Sequence, residues 1–225
     1  MKLFVTGGTG FVGGHFINQA YAAGHKVIAL RRSEASRSRI SLTQQPTWVN
    51  AEFSAIMPQD LEGIDCLIHF AAAGVSPQPA DWENCYRTNV LETLHLCRCA
   101  IEAGVSLIIS AGTYAEYGRS GLRYEKIPTN APLEPTGAYA ASKASAFIAL
   151  QALAGEHRVP ILWGRLFSVF GEGQFEDNFW PLLKRAALSG EDFPMTQGEQ
   201  IRDYISVEKV AGYFVDALRR QDLEP

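Results

Sequence analysis

Tyr139 and Lys143 stand four positions apart in YAASK, inside the helix-patterned stretch GAYAASKASAFIALQALAGE. Residues at that spacing share a helix face. An ammonium beside a phenol favours the phenolate and lowers its pKa towards the range of a general acid/base. The spacing is common on helix surfaces and gains force from what precedes it. The apolar run VSLIISAG ends in SAGTYAEYG, where Thr113 offers a hydroxyl donor at a strand end. A hydroxyl, a phenol and an ammonium brought together predict proton transfer at an oxygen.

A second group reads TGGTGFVG, with Gly7, Gly10 and Gly13 three apart between the apolar KLFVT and a helical pattern. Glycine there permits a tight turn, close approach of backbone to a pyrophosphate, and packing of helix on strand. The helix N-terminus then offers N–H groups to phosphate charge. In that setting the motif predicts dinucleotide binding. A third group is the basic cluster in VIALRRSEASRSR. Arg31 ends the second apolar strand, where a carboxylate would select the 2′-hydroxyl of NAD and arginine accommodates the 2′-phosphate of NADP. Arg31 and Arg32 therefore predict NADP, with NAD as the alternative. Arg37 and Arg39 read as a solvated helix start.

The elements that must position these groups alternate regularly. KLFVT, KVIAL, TWVNAEF, IDCLIHFAA, VSLIISAG and PILWGRLF read as strands, the fourth nearly continuous in apolar character as suits a strand buried on both faces. Helical patterns over FVGGHFINQAYAAG, residues 82–103 and GAYAASKASAFIALQALAGE separate them. Such alternation predicts an α/β fold, a doubly wound parallel sheet covered by helices. Ligands bind such sheets at the carboxyl ends of the strands, where Thr113, Tyr139 and Lys143 are expected to meet. Beyond Gly171 the alternation fades into a helix, a turn-rich patch, the short strand RDYISV and a closing helix. The expected division is residues 1–170 as the dinucleotide-binding unit and 171–225 as a small, incomplete substrate lobe.

The totals exclude other classes. The formal net charge of −4 over 225 residues argues against a nucleic-acid partner, and 47% apolar residues suffice for a core. No apolar stretch approaches the roughly 20 residues that span a bilayer, and MKLFVTGGTGFVGG lacks a signal-peptide cleavage pattern. A cytoplasmic protein without membrane attachment is the expectation. Cys66, Cys85, Cys97 and Cys99 read as reduced packing thiols, because the Cys-x-Cys pair falls on a helix where residues two apart diverge. No metal site is expected. His69 reads as a packed residue.

Taken in order, TGGTGFVG, HFAA (69–72), Asn89 in YRTNVLET, SAGTYAEYG, YAASK, GRLFSVFGEGQ and IRDYISVEKVA resemble the extended short-chain dehydrogenases/reductases that act on nucleotide sugars. The resemblance covers nearly the whole chain, and its closing part looks most like the CDP-abequose synthase branch of 4-ketoreductases. It implies a Rossmann fold and hydride chemistry at the sugar C4. Tyr139 would exchange the proton with the C4 oxygen, Thr113 would hydrogen-bond that oxygen, and Lys143 would hold the cofactor ribose. Gly7, Gly10, Phe11, Val12, Gly13, Arg31, Arg32, Ala71, Ala72, Asn89 and Phe167 would line the dinucleotide. Tyr114, Asn178 and Arg202 would contact the nucleotide sugar. A homodimer is a further expectation.

Two departures from the family pattern bear on chemistry. Dehydratases carry Asp-Glu directly after this threonine, where the chain has Tyr114 and Ala115. Glu116 is out of register with that base. Dehydration is therefore not expected, leaving a 4-ketoreductase or a 4-epimerase. Reduction of a small non-sugar carbonyl, or a non-catalytic NADP-sensing regulator on the same fold, stay open beside these. The closing motif carries Glu208 and Lys209 in place of the usual acidic pair. Family members usually continue past that motif. The expectation is a pocket open on one side, with Val210, Phe214 and Leu218 of the closing helix left partly uncovered.

Overall fold

Each central strand sends alternate residues into two different cores. In the computed structural model, which describes residues 1–75 and 80–220, Leu3 and Val5 of β1 (Lys2–Thr6) enter one cluster and Phe4 enters the other. Ile68 and Leu67 of β4 (Cys66–His69), and Ile109 and Ile108 of β5 (Leu107–Thr113), divide in the same way. Successive side chains on a strand point to opposite faces, so a sheet covered on both sides requires the nearly continuous apolar runs seen in the sequence.

With β2 (Lys26–Arg31), β3 (Thr47–Asn50) and β6 (Ile161–Leu166), these strands form one parallel sheet in the order β3-β2-β1-β4-β5-β6. That is the doubly wound Rossmann order, with its switch point between β1 and β4. The register pairs Thr6 with His69, His69 with Ser110, and Thr113 with Leu166, which aligns the carboxyl ends of the central strands. One face carries α1 (Phe11–Ala22) and α6 (Val207–Ala217), and the other carries α3 (Thr93–Glu102) and α4 (Ala138–His157).

Three features differ from the sequence reading. The helix expected over 82–103 is built in three pieces: α2 (Trp82–Tyr86), a π-helical turn over Arg87–Glu92, and α3. The wide turn aims Asn89 inward, where it is 1% exposed. Val210, Phe214 and Leu218 are not uncovered. They are buried against Phe16, Ile17 and the sheet, and the Phe214 ring sits 4.9 Å from that of Phe70. The closing helix thus packs as part of the sheet's own core, although it falls in the stretch assigned to the substrate lobe. Finally, β7 (Ser168–Phe170) continues past β6 and pairs in parallel with β8 (Tyr204–Ser206), so residues just beyond the sixth strand already belong to a second, two-stranded sheet. α5 (Phe179–Ser189) lies between them in the chain. Residues 221–225, the end of the expected lobe, lie outside the described residues.

Candidate active site

The turn after β1 has space only for glycine. Gly7 has φ +69°, and a Cβ there would lie 2.7 Å from the Ala71 nitrogen. A Cβ on Gly13 would collide with the Gly7 carbonyl oxygen. At Gly10 the sole near neighbour would be the Gly7 oxygen at 3.0 Å, so that side of the turn stands open. Gly10 is the N-cap of α1, and neither a side-chain cap nor an acidic residue in the first turn competes for the helix N-terminus. The first turn, with Phe11 and Val12, therefore presents free N–H groups and a positive dipole end to an anion. Ala71 borders the turn, and Ala72, half-buried like it, follows in the chain after β4. The cradle fits the pyrophosphate of a dinucleotide.

At the end of β2, the Arg31 guanidinium lies 5.2 Å over the Trp48 ring, and its Nε donates to Asn50 Oδ1 at 2.7 Å. Both partners come from β3, so the strand pairing itself orients the side chain. Arg32 is exposed beside it. Arg37 donates to the Glu34 carbonyl. Arg39 covers the Phe175 ring at 5.1 Å, and its backbone nitrogen donates to Thr9 O at 3.1 Å. The segment after β2 is thus strapped onto the glycine turn, a contact the sequence reading of a solvated helix start did not contain.

Thr113 ends β5 and is the N-cap of the turn Tyr114–Glu116, its Oγ1 accepting from the Ala115 nitrogen at 3.3 Å. Its side chain is near enough to Tyr139, at the start of α4, to act on the phenol. Burial, then the negative charge of Glu116, push the Tyr139 phenol up to about 12, with Thr113 working against the rise. Lys143, one turn on, is 2% exposed with its Nζ 4.5 Å from the centre of the Trp163 ring. Burial brings it down to about 8, opposed by Glu116 and Cys97. The sequence reading expected Lys143 to depress the Tyr139 pKa. The structure corrects this: loss of solvent dominates at both groups, and the phenol holds its proton at neutral pH.

Two further polar side chains are engaged by the protein itself. Asn89 spends its amide on protein groups: Oδ1 accepts from the Ala73 nitrogen at 2.8 Å, and Nδ2 donates to Ala73 O at 3.0 Å and Ser142 Oγ at 2.9 Å. Ser142 Oγ donates in turn to Tyr139 O at 2.8 Å. These bonds tie the π turn to the helix that carries Tyr139 and Lys143. Glu116 is wholly buried and cannot act as a displaced base. Its carboxylate accepts from the Thr113 nitrogen at 2.7 Å, from Arg165 Nε at 2.6 Å, and from Trp163 Nε1 at 3.0 and 3.1 Å. Sequence reasoning passed over Trp163 and Arg165 because both lie far along the chain from Glu116. The available signal was their spacing, since residues two apart on a strand share a face.

Tyr114, 39% exposed, stacks on Phe167 at 5.5 Å and 25°. Asn178 is the N-cap of α5 and makes no side-chain cap bond. Arg202 is exposed and donates to Gln200 Oε1 at 3.2 and 2.8 Å rather than pairing with Asp203. Neither Asn178 nor Arg202 joins the hydrogen-bonded group around Thr113 among the described residues. His69 is packed as expected. Its Nδ1 lies 2.7 Å from Thr6 Oγ1 and its Nε2 3.0 Å from Thr93 Oγ1, and burial lowers it to about 3. The four cysteines are free and buried, and no His/Cys/Asp/Glu cluster with metal-holding geometry occurs among the described residues. No helix among them is long and apolar enough to cross a membrane.

A doubly wound sheet whose first turn is an anion cradle, with a Thr–Tyr–Lys group at its carboxyl edge, defines a dinucleotide-binding protein of the short-chain dehydrogenase/reductase kind. The chain belongs to the NAD dependent epimerase/dehydratase family, whose model matches residues 3–225. It is 26% identical over 240 residues to the UDP-glucose 4-epimerase of Corynebacterium glutamicum, covering 99% of this chain and 72% of that protein. Among solved structures, it matches MoeE5 in complex with UDP-glucuronic acid and NAD at a TM-score of 0.83 and 27% identity, covering 99% of this chain and 73% of that one. The UDP-N-acetylglucosamine 4-epimerase of Methanobrevibacter ruminantium, in complex with UDP-N-acetylmuramic acid, superposes at a TM-score of 0.88 over 99% of this chain and 74% of its own. At 23% identity, that likeness is one of fold.

Proposed function

We propose that the chain is an NAD(P)-dependent oxidoreductase or isomerase of a nucleotide sugar, working at the sugar C4 as a 4-ketoreductase or 4-epimerase and preferring NADP(H). The observation that carries this reading is Thr113 at the carboxyl end of β5 beside Tyr139, with Lys143 buried one turn on, in a sheet whose first turn is the open glycine cradle. Family membership and the nucleotide-sugar names of the relatives support it.

Gly7, Gly10, Phe11, Val12 and Gly13 hold the pyrophosphate, Ala71, Ala72, Asn89 and Phe167 border the dinucleotide, and Lys143 holds its ribose. Arg31, with Arg32 in support, takes the 2′-phosphate, since the stack on Trp48 and the bond to Asn50 pre-orient the guanidinium. When bound, the nicotinamide supplies or accepts the hydride. Tyr139 does the proton chemistry: a phenol that keeps its proton at neutral pH suits donation to the C4 oxygen during reduction. Thr113 hydrogen-bonds the same oxygen. Ala115 has no proton to move and Glu116 is fully engaged, which disfavours dehydration. Tyr114, Asn178 and Arg202 contact the nucleotide sugar. We keep 1–170 as the dinucleotide-binding part and 171–225 as the substrate-binding part, with the closing helix packed into the former, and a cytoplasmic location.

The test is incubation of NADPH or NADH with a panel of CDP-, UDP-, GDP- and dTDP-linked 4-keto sugars, and of NADP+ or NAD+ with the matching 4-hydroxy sugars, reading product stereochemistry. Stereospecific 4-hydroxy products, or interconverted C4 epimers, are expected. Tight cofactor binding without turnover across the panel would overturn the reading.

A further inference from the structure

Beside Thr113 the structure holds a buried charged assembly that the proposed chemistry does not use. Glu116 lies inside it with no solvent exposure. Four donor contacts converge on its two oxygens, from the Thr113 backbone, the Trp163 indole (shared between both oxygens) and the Arg165 guanidinium. Arg165 is 11% exposed at its side chain. It is sandwiched between the rings of Phe147 at 4.3 Å and Tyr117 at 4.9 Å, and its Nη1 reaches Tyr117 Oη and Thr129 O, each at 3.4 Å. The same Trp163 whose N–H meets the carboxylate offers its ring face to the Lys143 ammonium. Space has been kept for the assembly. A Cβ on Gly112 would collide with Trp163 Nε1 and lie 2.6 Å from Glu116 Oε1.

A buried ion pair is poor value as a source of stability, since well-packed apolar groups of the same volume often do as well or better. Its location suggests another use. We infer that Glu116 is a positioning residue of the proton-transfer site: its carboxylate fixes the Thr113 backbone and supplies the negative charge that keeps Lys143 an ammonium.

The remaining groups that face Lys143 are Cys97 from α3 and His69 from β4. Burial pushes the Cys97 thiol up to about 12 and lowers His69 to about 3, so both are neutral near pH 7. Glu116 is then the charge that acts on Lys143, and without it burial alone would drive the ammonium towards the amine. Glu116 also acts on Tyr139, where after burial its charge disfavours the phenolate. The carboxylate thus favours the protonated form of both groups, adding to burial at Tyr139 and opposing it at Lys143. Arg165 holds the carboxylate in place, and its bond is to the oxygen that Thr113 does not use.

This inference rests on Tyr139 and Lys143 being the proton-handling pair, and its test is separate from turnover. Protein carrying 13C-labelled lysine is titrated by NMR, with the Lys143 resonance assigned by its loss in Lys143→Arg. In the wild type the midpoint is expected near 8. In Glu116→Gln, whose amide oxygen still accepts from the Thr113 nitrogen, it falls by at least roughly one unit, as expected for loss of a nearby opposite charge. Glu116→Gln leaves Arg165 unpaired and can unfold the protein. The double variant Glu116→Gln/Arg165→Met removes both charges, and a smaller shift in the same direction is expected there, since the unpaired guanidinium is gone as well. An unchanged Lys143 midpoint in a folded variant overturns the inference whatever the activity. A shifted midpoint in an enzyme whose Tyr139→Phe variant turns over normally upholds the electrostatic coupling and overturns the proton-pair reading on which its catalytic meaning depends.

Discussion

At the scale of single residues, the site separates groups that touch ligand from groups that aim them. Tyr139→Phe removes the proton donor and leaves Lys143, Asn89 and the glycine turn in place. Turnover is expected to fall by about 10²–10⁴-fold, the usual worth of general acid/base help, with cofactor affinity nearly unchanged. Fluorescence titration with NADPH beside single-turnover kinetics checks this, and wild-type hydride-transfer rates in the variant would remove Tyr139 from the chemistry. Arg31→Ala tests the cofactor. If a charge-assisted bond contributes about 1.5–3 kcal/mol, its loss lowers the preference for NADP(H) over NAD(H) by roughly ten- to a hundredfold. Titrating both cofactors against both proteins decides it, and an unchanged ratio would assign Arg31 to packing on Trp48 alone. Tyr139, Lys143 and Thr113 were legible in the sequence because each belongs to a short motif. Glu116 was noticed but not its work, because Trp163 and Arg165 reach it only through the pairing of β5 with β6.

At the scale of elements, strands and helices followed from apolar periodicity, and the departures have local causes. Nothing in YRTNVLET announces a π turn, which exists because buried side chains find partners across the fold. Thr93 Oγ1 donates to Thr88 O at 3.1 Å inside the turn, so it must accept from His69 Nε2. His69 Nδ1 is then the acceptor for Thr6, whose Oγ1 lies 3.4 Å from the Ala71 nitrogen. This chain of bonds stitches the ends of β1 and β4 to the turn, and it requires a neutral imidazole. The folded-state pKa of about 3 lies below the ordinary 6.5, so the unfolded chain binds the extra proton between these values. Stability from His69 is complete above about pH 6.5 and is lost as pH falls towards 3, on the order of a few kcal/mol in total. Urea midpoints are therefore expected to drop between pH 7 and pH 5, with a smaller drop in His69→Asn. Equal slopes in the two proteins would place the acid sensitivity elsewhere.

At the scale of the whole molecule, sequence order and packing part company at the closing helix. The fading of strand–helix alternation after Gly171 made the last stretch look like a separate lobe. The apolar face of α6 nevertheless completes the core over α1, and its Gln19 contact, from Nε2 to Glu208 O at 2.8 Å, adds a polar tie. Periodicity shows that a helix has an apolar face but not which neighbour covers it, so the sequence left this choice open. Phe214 is the wedge. It is 4% exposed, meets Phe70 edge to face, and fills the space left by Gly164 on β6, where a Cβ would lie 2.9 Å from its ring. Phe214→Ala is expected to cost about 3–5 kcal/mol, the usual loss for a buried aromatic truncated in a packed core. If α6 is part of the sheet's core, that loss lowers one cooperative transition in urea, followed alike by far-UV circular dichroism and by tryptophan fluorescence from Trp48 and Trp163. If α6 closed a separate lobe, a first transition would move while the sheet's own transition stayed where it was, and the two probes would separate. Coincident curves at a lower midpoint are the expected result, since the ring of Phe214 touches the sheet on β6 and at the end of β4.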